Sequence, residues 1–231
     1  MNFEVFGNSH AGLLSGGPPH GNKVLKQGKK PGGRGFTDIN PDYPFRTWFL
    51  GPVLAYNFYE HHLSKVYSLI NDHSTLFDKN SFILMFVGEI DCRVHLPKYV
   101  SKNRTYQNVV EECVNRYHRS IIDLKTNFKN VGVIGSLPSM CDESIKKLMP
   151  LDEQTYNVSG TSALRNKISK HWDDFHGSLC GAQQIPYISI YENLVDENGK
   201  TKENLFSDFI HLSYDKTIDF WIKSFKKAGL L

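Results

Sequence analysis

Nothing in these 231 residues is long and apolar enough to cross a membrane as a helix. The richest run, SFILMFV at 81–87, falls far short of the roughly 20 residues such a span needs. A secretory leader is also absent from the pattern. The first residues carry no basic start, and Glu4, Asn8 and His10 break the apolar segments. The expected compartment is therefore cytoplasmic, that of a host cell included. Cysteine is scarce and scattered: Cys92, Cys113, Cys141 and Cys180 form no CxxC pair, which argues against a zinc or redox motif and for free thiols. The net charge is only +3, too small to argue for a nucleic-acid partner. No internal repeat or break in composition divides the chain, so a single domain over 1–231 is expected. What remains, 40% hydrophobic and 22% charged residues, is ordinary for a globular protein with a sizeable core.

Strand-like and helix-like segments alternate along the chain. Residues 3–6 read as a first strand, followed by a turn and a helix. The stretch 16–40 is rich in Gly, Pro and Lys and reads as a long loop. It carries Lys23, Lys26, Lys29, Lys30 and Arg34 against Asp38 alone, so it is either a solvated loop or a basic lip for an anionic substrate. Its lack of aromatic residues other than Phe36 speaks against a single-strand nucleic-acid platform. From Trp48 to Ile70, Pro52 suits a first helical turn, and Leu54, Phe58, His62, Val66 and Ile70 recur at helical spacing. FILMFV, 82–87, is continuous and apolar, as in a parallel strand buried on both faces. Helices are predicted over 105–127 and 161–182, a strand running into a loop over 131–138, a strand over 186–195, and a last helix over 215–225. The alternation implies a doubly wound α/β sheet, with ligands at the carboxyl ends of its strands.

Ser9 stands at one such end, just after the first strand. A serine is a poor nucleophile until a base takes its proton. The base candidate lies near the other terminus, in FSDFIHLS, where His211 follows Asp208 by three residues. That spacing lets the carboxylate hold Nδ1 of the ring while Nε2 faces outward, the orienting logic of a serine triad.

With GNS at 7–9 and DFIH at 208–211, the chain resembles the SGNH/GDSL hydrolase family, whose GDS and DxxH segments bracket the domain in this order. The resemblance covers the whole chain. It implies a flavodoxin-like three-layer α/β/α sandwich with a mainly parallel sheet, the SGNH hydrolase fold. It further implies a carboxylic ester hydrolase with Ser9 as nucleophile, His211 as base and Asp208 as its orienter, and no cofactor. Gly51, in FLGPVLAYNF, matches the family's second-block oxyanion glycine. The third block, usually GxND, reads GEIDCRVH at 88–95, with Ile90 where an Asn donor would stand. Isoleucine has no side-chain donor, and loss of one oxyanion donor costs about 10²–10³ in rate. Arg93 is the candidate substitute, because its planar fork can reach an oxyanion or a substrate carboxylate. Asn8 stands where the family has Asp.

Asp91, Glu89 and His10 complete the candidate oxyanion and substrate-binding set. Beside that reading, Asp91 and Arg93 could simply form an ion pair holding the loop, and His10 could line the pocket or cap a helix. Glu89, Asp91 and His95 are metal-ligand types, but three residues on one short loop complete no cage, so no metal is expected. His171 and His176 read as solvated, and Cys92 is not favoured as a nucleophile. By resemblance the substrate is an O-acylated, most simply O-acetylated, carbohydrate or other small ester. No nucleic-acid or membrane partner is expected. The alternatives are a carbohydrate O-acyltransferase on the same scaffold and a non-catalytic carbohydrate-binding module.

Overall fold

The structure, a computed structural model, describes residues 2–15, 36–40, 42–77, 80–148 and 158–231. The basic stretch at 16–35 lies outside them, so the lip expected there is not described. In chain order the elements are β1 (Phe3–Gly7), a 3₁₀ turn (Ser9–Ser15), β2 (Phe36–Ile39), β3 (Phe45–Phe49), α1 (Phe58–His61), α2 (Leu63–Asp72), β4 (Phe82–Phe86), a π turn (Asp91–His95) and α3 (Leu96–Tyr99). Then follow α4 (Tyr106–Asn127), β5 (Val131–Ile134), α5 (Asp142–Leu148), α6 (Ser162–Ala182), β6 (Tyr187–Ile188), α7 (Tyr191–Leu194) and α8 (Tyr214–Lys227).

The strands form one sheet in the order β2-β3-β1-β4-β5-β6. All neighbours are parallel except β2, which pairs antiparallel with β3 at the edge. Strand alternation divides the apolar side chains between two cores. Phe6, Trp48, Ile83 and Met85 point to the layer of α1, α2, α4 and α6. Phe3, Val5, Leu84 and Phe86 point to the layer of the 3₁₀ turn and α8, where Trp221 and Phe225 meet them. Every residue of β1 and β4 is buried, as expected of parallel strands covered on both faces. The result is the three-layer α/β/α sandwich expected from the sequence.

Even Glu4 in β1 is fully buried. It accepts the indole N–H of Trp48 at 2.7 Å and stands 3.5 Å from Arg46, partners that offset its burial. The two long helices begin where a threonine side chain caps them: Thr105 accepts from the Asn108 N–H, and Thr161 from that of Leu164, each at 3.3 Å. Both lie within one residue of the predicted start.

Four local expectations are corrected. The run from Trp48 is not one helix. It begins inside β3, and regular helix starts only at Phe58. Gly51 has φ +86°, and the Val53 N–H closes back on the Gly51 carbonyl at 2.8 Å, so Pro52 sits in a tight loop and not in a helical turn. The strand expected over 186–195 stops at Ile188, because the Ser189 hydroxyl accepts the Tyr191 N–H at 3.1 Å and starts α7. The segment after Ser9 is a 3₁₀ turn, and the end of the predicted loop, Phe36–Ile39, is a strand. Among the described residues no helix is long and apolar enough to cross a membrane.

Candidate active site

β1 lies between β3, which follows it in the chain, and β4, which lies on its other side. Successive connections therefore diverge at its carboxyl end and leave a crevice there. Gly7 closes β1 because nothing larger fits: a Cβ at that position would lie 2.4 Å from the Phe86 carbonyl of β4. The chain then turns. Asn8 fixes the turn, its side-chain oxygen accepting the His10 N–H at 3.1 Å and its backbone carbonyl the Ala11 N–H at 3.0 Å. The asparagine thus fixes the turn without bringing a charge. Ser9, half-buried, is left at the mouth of the crevice.

The loop between Phe206 and Leu212 is pinched at its base by an antiparallel bridge between those two residues. Asp208 organises its tip. Its Oδ1 accepts the backbone N–H groups of Ile210 and His211, both at 2.7 Å. Its Oδ2 lies 2.8 Å from His211 Nδ1. Partial burial is the largest influence on this carboxyl and pushes its pKa up, but the ring and the two N–H groups outweigh it and hold the pKa at about 2. An ionised Asp208 accepts a hydrogen bond from Nδ1–H and keeps the proton on that nitrogen, which leaves Nε2 as the acceptor. Nε2 lies 2.9 Å from Ser9 Oγ, across 202 positions of sequence.

Behind this trio lies a buried second set. The His10 ring stands 4.9 Å from the His211 ring, centroid to centroid, and its Nε2 lies 3.3 Å from the Ile210 carbonyl. Burial, the main cause, lowers the His10 pKa to about 4, so the ring is neutral and Nε2–H donates to that carbonyl. His10 Nδ1 is 3.6 Å from Glu89, whose carboxylate receives Arg93 Nε–H at 2.5 Å. Burial pushes Glu89 up most strongly of any single effect, but the charge of the Arg93 guanidinium and its hydrogen bond hold the carboxyl below its ordinary value. Asp91 turns away to the second-block loop, where it accepts the N–H groups of Ala55 at 2.8 Å and Tyr56 at 3.3 Å. Burial raises its pKa to about 6.

These placements sort the candidates. Ser9, His211 and Asp208 come together. Gly51 lies beside them, since the Leu50 N–H donates to the Gly7 carbonyl at 2.8 Å, two residues from Ser9. His10 and Asp91 are corrected: at 1% and 0% exposure neither presents a surface to substrate, and each holds backbone instead. Glu89, 7% exposed, is likewise occupied with Arg93, so the ion pair anticipated between Asp91 and Arg93 is formed by Glu89. With Asp91 engaged by backbone and Glu89 by Arg93, the carboxylates named for a metal with His95 do not converge. Burial drives the Cys92 thiol well above its ordinary pKa, which removes it as a nucleophile. His176 is fully buried, contrary to its reading as solvated. What the sequence did not disclose is the role of the Ile210 carbonyl and of the Ala55 and Tyr56 amides; backbone groups leave no trace in residue type. A cavity of about 740 Å³ between α5, α6 and the turn at 195–201 contains none of these catalytic candidates.

Solved structures with the same arrangement of elements are numerous, 48 chains matching. A GDSL-like lipase from Bacteroides thetaiotaomicron superposes with a TM-score of 0.54 at 14% identity, covering 98% of this chain and 86% of the other. The fold is that of the GDSL-like hydrolases. A Streptococcus pneumonia protein provisionally named a platelet activating factor shares it, with a TM-score of 0.58, 17% identity and coverage of 100% and 84%. So does a catalytic mutant of Axe2, an acetylxylan esterase from Geobacillus stearothermophilus, with a TM-score of 0.51, 12% identity and coverage of 99% and 94%. No family model and no curated protein matches the chain. At these identities the likeness is one of GDSL-like architecture.

Proposed function

We propose that the protein is a serine esterase acting on an O-acylated carbohydrate, most simply an O-acetyl sugar. The observation that carries this reading is the contact of 2.9 Å between Ser9 Oγ and His211 Nε2, with Asp208 behind the ring. Ser9 attacks the ester carbonyl while His211 takes its proton. The imidazolium, stabilised by ionised Asp208, returns that proton to the departing sugar oxygen. Water then attacks the acyl-serine while His211 takes its proton, and the ring returns that proton to Ser9 Oγ as the acyl–oxygen bond breaks and the acid is released.

The negative charge on the tetrahedral oxygen needs donors. The backbone N–H groups of Ser9 and Gly51 supply two, and Arg93 takes the place of the missing asparagine at Ile90. The guanidinium is held by Glu89 and is close enough to His10 to lower its pKa. A fixed cation in a shielded crevice stabilises developing charge without reorganising. The carbohydrate assignment draws support from the acetylxylan esterase among the proteins of like fold. Ile90 favours one other reading, a binding module that lost its chemistry; the trio's hydrogen-bond geometry argues against it, since a binding module has no need to keep a base aimed at a serine.

A fluorophosphonate probe and a panel of p-nitrophenyl and sugar acetates test the reading together. The wild type is expected to label and hydrolyse, and Ser9→Ala and His211→Ala to do neither. Equal labelling of wild type and Ser9→Ala, or none of either, overturns it.

A further inference from the structure

The layer formed by α4 and α6 holds a second cluster of reactive side chains, remote in sequence from the Ser9 motifs. His176 and Cys180 are one turn apart on α6 and face His118 on α4. One ligand atom from each lies within 4.8 Å of the others, and all three residues are buried. Both ring nitrogens of His176 and both of His118 lack a directed hydrogen-bond partner, although the Gln183 amide stands close enough to His118 to raise its pKa somewhat. A neutral imidazole carries one donor and one acceptor. Leaving such groups buried and unmatched costs about 1–3 kcal/mol each, so a core that holds the unmatched His176 imidazole beside that of His118 calls for something to satisfy it.

We infer that His118, His176 and Cys180 form a structural binding site for one soft d¹⁰ metal ion, copper(I) in preference to zinc(II). Thiolate and imidazole are the ligands these ions select. Ligand atoms in a three- or four-coordinate site of this kind stand about 3.3–3.8 Å apart given metal–ligand bonds of about 2.0–2.3 Å, so closing the cluster takes side-chain shifts of about 1 Å. Burial keeps His176 neutral, its pKa lowered to about 3, and a neutral imidazole is the form that ligates. The Cys180 thiol, raised to about 12 chiefly by burial, gives its proton to water as its sulfur bonds the metal.

Charge selects between the two ions. The cluster holds no carboxylate, and the one charged group acting on Cys180 is the Lys125 ammonium. One thiolate neutralises copper(I) and leaves zinc(II) with a buried positive charge.

The inference is independent of the esterase reading and its test does not use activity. The reduced full-length protein is titrated anaerobically with copper(I) against a chromophoric chelator, and separately with zinc(II). Uptake is read by stoichiometry, thiolate-to-copper absorption and mass-spectrometric mapping of thiols protected from alkylation. One equivalent of copper(I) is expected, and of the buried thiols Cys92, Cys113 and Cys180 only Cys180 should alkylate more slowly in the loaded protein than in the metal-free protein. Cys180→Ser and His176→Gln should abolish uptake, and Cys141→Ser, at a half-buried thiol outside the cluster, should retain it. If the first two variants do not fold, the protection map of the wild type decides. No uptake of either ion, protection at another cysteine, or uptake surviving in folded Cys180→Ser overturns the site; zinc(II) bound more tightly than copper(I) overturns the choice of ion.

Discussion

Replacing Asp208 by Asn will slow ester hydrolysis by about ten-thousandfold while leaving the fold intact, and the geometry says why. Asp208 Oδ1 is committed to two backbone N–H groups at 2.7 Å, and Oδ2 to His211 Nδ1 at 2.8 Å. An asparagine must turn its oxygen to the two backbone donors, because its NH₂ cannot accept from them. That points the NH₂ at Nδ1. The ring answers by giving up the Nδ1 proton and carrying it on Nε2, where it faces Ser9 as a donor and cannot accept the serine's proton. A wrong tautomer of this kind is worth about 10⁴ in kcat, or about 5.5 kcal/mol of transition-state stabilisation. The assay is the initial rate on p-nitrophenyl acetate together with the rate of fluorophosphonate labelling, with circular dichroism to establish folding. Both rates should fall alike, since both need the activated serine. A folded Asp208→Asn protein within tenfold of the wild type would refute the reasoning, because the ring would then owe its orientation to some other group.

Further outcomes follow from the same contacts. The Asp208 carboxyl, held at about 2 against an ordinary 3.8, contributes stability that is present above about pH 4 and lost as pH falls through 2; at 41% exposure of its side chain, solvent screening leaves about 1 kcal/mol, measurable as a difference in acid unfolding between wild type and Asp208→Asn. Asp91 has the opposite sign: raised to about 6, it costs stability progressively as pH climbs from about 4 through 6, by about 2–3 kcal/mol, so denaturant titrations of Asp91→Asn should show a flatter pH dependence there. Gly7→Ala drives a methyl group to 2.4 Å from the Phe86 carbonyl and should cost about 1–3 kcal/mol in urea unfolding; an unchanged midpoint would contradict the close approach of β1 and β4. His10→Phe keeps the ring volume but leaves the Ile210 carbonyl unmatched, and should lower kcat about tenfold with KM unchanged, the signature of a residue that acts through His211.

The sequence by itself determined the alternation of strands and helices and the two ends of the candidate site. FILMFV had to be a doubly buried strand because no polar residue interrupts it. The stripes of α4 and α6 had to be helices because their apolar residues recur at 3.6. Ser9 and the DxxH of Asp208 and His211 were legible because their partners are local: a strand end for one, a three-residue turn for the other. Tertiary structure decided the rest, because it concerns which distant groups share a space. Glu89 and Asp91 are one residue apart from the same middle position, yet one pairs with Arg93 and the other caps the backbone of Ala55 and Tyr56. The helical spacing from Leu54 to Ile70 was real only from Phe58, since a left-handed Gly51 and the reach of Asp91 hold the residues before it in a loop. His176, polar by type, ended in the core because the helix face it occupies packs on α4. Periodicity is a property of neighbours in sequence, whereas burial and partnership belong to neighbours in space, and only folding joins the two.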